Sequence, residues 1–486
     1  MVWEDAVLDS GRDPERAPAE CTGEAAAPVP VVAGPPPVVL VRGAGGSLPP
    51  GCAVDTSGHL LAGGCDVPAL AAQYGTPLYI FNEDVLRANC RAYRHAFAAY
   101  EPGGVVAYAG KACLTMAIAA VLGDEGLYLD VVSAGELQTA LAAAFPATRM
   151  VFHGNNKGER EIALALQSGI GRIVIDNFHE LELVDRAARA HGMRQPVLLR
   201  VAPGIEAHTH DYIRTGSQDS KFGFDLQTGQ ALEAARRCAA APGLDWVGLH
   251  AHIGSQILET APLLALAELL LDLAVAIRGA TDLRLQELNL GGGAGIRYRE
   301  EQTLRPEDVV SAIITAVRDG CRARDLPLPR LAVEPGRSII GQAGIAVYTV
   351  GSQKRVPGLL PWIAVDGGMG DNIRPALYQA EYTVAVANRM RDPAEETVHV
   401  VGRYCESGDF LARATRLPRL RPGDLLAFFS AGAYQYPMSS NYNRVPRPCL
   451  LLVSGGSADV MVERETYADL LARDRLPPRL GGRPPA

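Results

Sequence analysis

Lys111 sits in the run Tyr-Ala-Gly-Lys-Ala (108–112), directly after the apolar stretch Val105–Tyr108 and before a segment with helical character, Ala112–Leu122. A primary amine at a strand end can point into a pocket and condense with a carbonyl, although a strand-end lysine is more often a solvated surface charge. Four further motifs follow in order: His-Ala-His-Ile-Gly-Ser-Gln (250–256), Gly-Gly-Gly (291–293), Glu-Pro-Gly-Arg (334–337) and Cys-Glu-Ser-Gly-Asp (405–409). Together they offer an amine, an imidazole to stack on a ring, a turn of bare backbone amides, an acid for a ring nitrogen and a thiol that can donate a proton. That is the set a pyridoxal phosphate site requires.

Each motif also has a plainer reading. Gly291, Gly292 and Gly293 free their amides from any Cβ and could cradle a phosphate, or they could form a flexible turn. His252 could be a satisfied structural histidine. Glu334 could pair with Arg337 at a strand end, or stand by a pyridine nitrogen whose protonation improves the electron sink. Arg337, after the reversal at Pro335-Gly336, is placed to face a substrate carboxylate. Cys405 could be structural or, as a thiol near its working pH, an acid.

The elements that must position these groups alternate strand and helix. Strands are predicted at Val105–Tyr108, Leu127–Val132, Met150–Phe152, Arg172–Ile175, Pro196–Val201, Trp246–His250, Leu285–Leu290 and Leu331–Val333. Segments of helical spacing lie between them, including Glu159–Ser168, His179–His191, Gly229–Ala240, Pro262–Ala280 and Pro306–Arg324. Eight such strands predict an α/β fold, a (β/α)8 TIM-like barrel, over an open doubly wound sheet. Lys111, Asp130, His250 with His252 and Ser255, Gly291–Gly293 and Glu334–Arg337 then fall at the carboxyl ends of strands one, two, six, seven and eight. Barrel active sites are built on that face, with phosphate commonly held after strands seven and eight. Beyond Arg337, short alternating runs separated by Gly and Pro predict a smaller C-terminal β domain, sandwich- or barrel-like. The expected divisions are a disordered extension at 1–50, the barrel at 82–337, residues 51–81 joining 338–465 in the β domain, and a flexible tail at 473–486.

Composition sets the outer bounds. The 486 residues are 48% hydrophobic and 21% charged, as expected of a globular chain of two domains. A net charge of −8 argues against nucleic acid or an anionic membrane as partner. The longest apolar run, Leu263–Ile277, is interrupted by Glu268 and Asp272 and is too short for a bilayer. The start carries Glu4, Asp5 and Asp9 and does not read as a secretory signal. Nine cysteines without any Cys-x-x-Cys pair predict reduced thiols, no zinc site and a cytoplasmic protein.

Over about residues 50 to 465 the chain resembles the diaminopimelate decarboxylase family, among the fold-type III pyridoxal phosphate enzymes that share their barrel with alanine racemase. The resemblance is carried by Tyr-Ala-Gly-Lys-Ala, Asp-Val-Val-Ser-Ala-Gly-Glu (130–136), His-Gly-Asn-Asn-Lys (153–157), Lys-Phe-Gly-Phe (221–224) and His-Ala-His-Ile-Gly-Ser-Gln. It continues through Leu-Asn-Leu-Gly-Gly-Gly, Val-Glu-Pro-Gly-Arg, Asn-Ile-Arg-Pro-Ala-Leu-Tyr (372–378), Cys-Glu-Ser-Gly-Asp and Gly-Ala-Tyr (432–434). It implies that Lys111 carries the cofactor, His252 stacks on its ring and Glu334 pairs with the ring nitrogen. Ser255, Gly291, Gly292, Gly293, Gly336, Arg337 and Tyr434, with Asp130, complete the cofactor contacts. Arg337, Arg374, Tyr378, Glu406 and Tyr434 would bind substrate, and Cys405 would return the proton. It further implies decarboxylation of meso-2,6-diaminopimelate to L-lysine by a homodimer with shared active sites. Two readings compete: a paralogue acting on another amino acid, free or carrier-tethered, and a non-catalytic regulatory relative.

Overall fold

In a computed structural model of the protein, residues 48–204 and 221–480 are described. Most of the expected N-terminal extension and the last six residues of the tail lie outside that range. Eight parallel strands close into a barrel: β1 (Gly104–Ala109), β2 (Tyr128–Val131), β3 (Met150–Phe152), β4 (Arg172–Ile175), β5 (Gln195–Ala202), β6 (Leu244–His250), β7 (Glu287–Asn289) and β8 (Arg330–Val333). They pair in chain order, and β8 returns to β1 with Leu331 opposite Gly104 and Val333 opposite Val106. The strands are short and buried nearly throughout, as strands covered on both faces must be.

Local capping explains where the helices begin. Ser133 accepts from the Glu136 amide at 3.2 Å to start Ala134–Ala142, and Asn177 accepts from the Glu180 amide at 3.0 Å to start Phe178–Ala190. Pro306 opens the helix Pro306–Ala323, with Glu307 and Asp308 in its positively polarised first turn. One boundary departs from the sequence expectation. The segment after β1 is not helical from Ala112; a single 3₁₀ turn, Gly110–Ala112, comes first. The helix starts only at Met116, where Thr115 caps the Ile118 amide at 3.2 Å. The cap wins because the Thr115 side chain satisfies an amide that continued helix would otherwise have to serve. Lys111 is thereby held on a tight turn at the barrel mouth.

A second sheet is built on the long strand Gly344–Lys354. It pairs antiparallel with Leu78–Asn82, Trp362–Val365 and Leu425–Phe428. Leu78–Asn82 in turn pairs parallel with Cys449–Ser454, so a strand preceding the barrel in sequence lies inside the sheet that follows it. Phe410–Leu417 and Ser457–Val462, which the sequence pattern did not single out, close the sheet at its two edges. Their exposed faces give little periodic signal. Among the described residues no helix is long and apolar enough to cross a membrane.

Candidate active site

The Lys111 turn is held from two sides. The Ala109 amide donates to Pro335 O at 3.2 Å, and the Tyr434 amide donates to Ala112 O at 2.7 Å. Gly110 is required immediately before the lysine, because a Cβ there would lie 2.8 Å from Asp130 O. Lys111 itself is exposed, flanked by the buried residues Gly110 and Ala112. Burial raises the carboxyls of Asp130 and Glu136, the latter to about 7, and the Lys111 charge pulls against that rise at both. His252 is held well below the usual imidazole range by burial and then by Lys111.

Glu334 follows β8 and is buried beneath this mouth. Its carboxylate accepts from His250 Nε2 at 3.0 Å and from Asn289 Nδ2 at 2.7 Å, and forms an ion pair with His153 Nε2 at 2.9 Å. Burial alone would raise it, but the two imidazoles outweigh burial and hold it well below the ordinary carboxylate range. The histidines divide by environment. Burial would depress His153 too, yet Asp130 and Glu334 raise it, whereas burial dominates at His250 and lowers it to about 4. A neutral His250 that donates through Nε2 leaves Nδ1 as a bare acceptor, and among the described residues that atom has no partner. Asp130 Oδ1 likewise accepts no hydrogen bond from the described residues.

The loops after β6, β7 and β8 interlock through the glycine run. Gly291 has φ 66° and Gly293 φ 120°. A Cβ on Gly292 would lie 2.0 Å from Glu334 O, and one on Gly293 would lie 2.5 Å from Gly254 O. The run is therefore a locked turn and not a flexible one. The Gly292 amide meets His252 Nδ1 at 3.3 Å, and Gly336 packs at the Ala109 and Ala112 methyls.

Beside this centre lie two buried arginines. Arg337 donates to Ser255 Oγ at 2.9 Å and to the Tyr298 hydroxyl, and its guanidinium stacks 4.8 Å from the Tyr434 ring centre. Arg374 donates to the same Tyr298 oxygen at 3.1 Å and to the Tyr382 hydroxyl at 2.7 Å, with the Tyr378 ring 5.9 Å away. Among the described residues neither guanidinium has a carboxylate partner. Of the expected site residues, Lys111, Asp130, His252, Ser255, the glycines, Glu334, Gly336, Arg337, Arg374, Tyr378 and Tyr434 are brought together at the carboxyl end of the barrel.

Cys405 and Glu406 stand apart from them. Both are exposed on the loop 402–409, which Asp409 ties down by accepting the Met369 and Tyr404 amides at 2.7 and 2.9 Å. The Cys405 amide donates to Asn443 Oδ1 at 3.0 Å, and Glu406 accepts from the Tyr442 hydroxyl at 3.3 Å. Cys405 is also set apart from Cys90, Cys113 and Cys238, whose thiols burial pushes up to about 12 and so makes inert.

Sequence reasoning missed His153, Glu136, Arg200, Tyr298 and Tyr382. His153 directly follows β3, so the strand-end rule that selected Glu334 also reaches it. Arg200, near the end of β5, lies 3.7 Å from Asp176 and over the Phe222 ring at 4.2 Å. Tyr298 and Tyr382 lie in irregular loops and carry no periodic signal.

These residues fit pyridoxal phosphate. Lys111 offers an exposed amine beside two acids, and the ionised Glu334, with two hydrogen-bond donors and an ion pair to His153, keeps acceptor capacity for a further donor. Orphaned polar atoms at Asp130 and His250 line the same space. A profile described as "Pyridoxal-dependent decarboxylase, pyridoxal binding domain" matches residues 83–341. A diaminopimelate decarboxylase of Bacillus subtilis is 47% identical over 425 residues, covering 87% of this chain and 97% of that one. One from Synechocystis is 45% identical over 444 residues, covering 89% and 94%. The crystal structure of diaminopimelate decarboxylase from M. jannaschii in co-complex with L-lysine superposes with a TM-score of 0.83 at 34% identity, covering 89% of this chain and 99% of that one.

Proposed function

The chain belongs to the pyridoxal-dependent decarboxylases, in the diaminopimelate decarboxylase family, and from that premise we propose that it removes carbon dioxide from the D centre of meso-2,6-diaminopimelate and leaves L-lysine. One observation carries the choice of substrate. Arg337 and Arg374 are both buried, converge on one phenolic oxygen and lack any carboxylate among the described residues. Two buried cations without an anion are costly, and a carboxylate at the far end of the substrate would complete them. A simple diamine-forming decarboxylase has no second carboxylate to place there.

Lys111, His252, Glu334, Asp130, Ser255, Tyr434 and the glycine turn would hold the cofactor. When bound, pyridoxal phosphate supplies the sink for the electron pair that departing carbon dioxide leaves behind. Glu334, held ionised by His153 and His250, would stand by the ring nitrogen and favour its protonated form. Lys111 would give up its place to the substrate amine, and Glu136, whose carboxyl burial raises to about 7 and which feels the Lys111 charge, would take or return the Lys111 proton. Arg337 and Arg374 hold the distal carboxylate, with Tyr378 beside them. Glu406 holds the distal ammonium. Cys405 gives its thiol proton to the α-carbon, and solvent restores it.

Cys405 and Glu406 would serve the barrel of a second copy in a two-fold homodimer. Their exposure, and the lack of any bond from either side chain to Lys111, Arg337 or Arg374 among the described residues, support this arrangement. The eight cysteines among the described residues are free thiols, which supports a cytoplasmic setting.

The test is product analysis with purified, cofactor-loaded protein. Lysine should accumulate from meso-diaminopimelate, while ornithine, arginine and lysine should release little carbon dioxide. Turnover of one of those amino acids with none of diaminopimelate would overturn the substrate reading.

A further inference from the structure

Tyr298 lies in the loop after β7, fixed by its backbone as well as by its ring. Its amide donates to Glu301 Oε2 at 3.0 Å, and its carbonyl accepts from Thr383 Oγ1 at 2.8 Å. Its ring meets the Tyr382 ring edge-on at 5.5 Å and is buried. The hydroxyl oxygen is therefore presented at a defined point, and Nη1 of Arg337 and Nη1 of Arg374 both donate to it. A phenolic oxygen has two acceptor lone pairs, so two guanidinium donors can use it fully. Each arginine is anchored elsewhere through a second contact: Arg337 through Ser255, and Arg374 through Tyr382. Without Tyr298 nothing among the described residues would bridge the two like charges.

We propose that Tyr298 is a positioning residue for substrate recognition, its hydroxyl oxygen setting the spacing at which Arg337 and Arg374 receive the carboxylate of the retained amino-acid head. This rests on the assignment of diaminopimelate as substrate and adds a residue to it. A planar carboxylate gains most from two guanidinium groups that are already aligned, because the cost of drawing two like charges together is met in the fold and not at binding. Tyr298 acts through the arginines and does not touch the reacting carbon. The two arginines also act on Tyr298: burial alone would raise its phenol, but Arg337 and Arg374 outweigh burial and leave it below the ordinary tyrosine range.

The experiment uses the cofactor-loaded enzyme and Tyr298→Phe, with L-lysine and cadaverine as binding probes. L-Lysine carries the retained head, and cadaverine is the same chain without its carboxylate. Calorimetric affinity for L-lysine should fall about tenfold or more in the variant, as for loss of a hydrogen bond to a charged group, with cadaverine unaffected. KM for diaminopimelate should rise by a similar factor while kcat changes little. Unchanged lysine affinity and KM, or a loss confined to kcat, would overturn the proposal. Wild-type enzyme that forms no lysine from diaminopimelate would instead overturn the substrate reading, whatever the variant does. Far-ultraviolet circular dichroism and cofactor absorbance check that the variant folds. If it does not, the wild type still decides through pimelate, a dicarboxylate with no amine to titrate. Ionised Tyr298 would cancel one of the two guanidinium charges, with Tyr378, Tyr382 and Tyr434 the other titratable groups packed on the pair, so pimelate should bind more weakly toward alkaline pH. Pimelate that fails to bind, or binds equally across that range, contradicts the role.

Discussion

At the scale of single residues, Lys111 is separated from the other lysines by its surroundings and not by its type. Lys157 is buried and spends its three donors on Gly154 O, Val174 O and Glu180, so it has none left for a cofactor. Lys111→Ala should therefore abolish the borohydride-reducible adduct and nearly all turnover; an adduct that survives would assign the linkage to another lysine. Arg374→Ala should raise KM for diaminopimelate by the equivalent of about 2–5 kcal/mol with cofactor loading intact, the range for removing one partner of a buried charge pair. Equal KM values would show that no distal carboxylate reaches Arg374. Glu136 gives a pH prediction whose sign follows from its raised carboxyl. In apo protein the folded state keeps the Glu136 proton up to about 7, while the unfolded chain loses it near 4.5. Between those values the folded state holds more protons, so Glu136 makes stability fall as pH rises. Glu136→Gln should flatten the melting temperature against pH across that interval. A wild-type slope retained in the variant would place the titration elsewhere.

At the scale of elements, what was legible is what short-range pattern encodes. The eight barrel strands were readable because each is a short apolar run bounded by turn residues, and the carboxyl-end motifs followed from their order. The Phe410–Leu417 strand was not readable, since three of its eight side chains are exposed and arginines interrupt it. The start of the helix after β1 was misplaced because capping by Thr115 is a local choice that periodicity does not report. Glu136, within the quoted Asp-Val-Val-Ser-Ala-Gly-Glu run, was visible but unassigned: its burial depends on packing against the Lys111 turn. Tyr298 and Arg374 meet across 76 positions of chain, and no spacing rule brings them together. The glycine turn shows the opposite case, a motif legible in sequence whose reason is long-range. Gly292→Ala should destabilise by about 1–3 kcal/mol or more, because its Cβ meets the Glu334 carbonyl and backbone cannot step aside. Gly279→Ala, at a position with nothing within 4 Å, should be neutral or mildly stabilising. Equal melting temperatures for the two variants would mean the turn is looser than its contacts require.

At the scale of the whole molecule, the barrel supplies Lys111, Glu334 and Arg337, and the C-terminal region supplies Arg374 and Tyr434 and presents Cys405 at the surface. If Cys405 serves a partner's barrel, Lys111→Ala and Cys405→Ala should each be inactive alone and complement when mixed. Random exchange makes about half the dimers mixed, each with one intact site, so activity should return to about a quarter of wild type. Confirmed exchange without recovery would place Cys405 in its own chain's site. The most direct measurement of the central claim is the fate of label. Cofactor-loaded enzyme is given meso-diaminopimelate carrying carbon-13 in the carboxyl of either the D or the L centre. The D-labelled substrate should release all its label as carbon dioxide with an equal amount of unlabelled L-lysine, and the L-labelled substrate should keep its label in the lysine. Labelled carbon dioxide from the L centre, or none from either, would contradict a site in which Arg337 and Arg374 hold the retained carboxylate away from the chemistry.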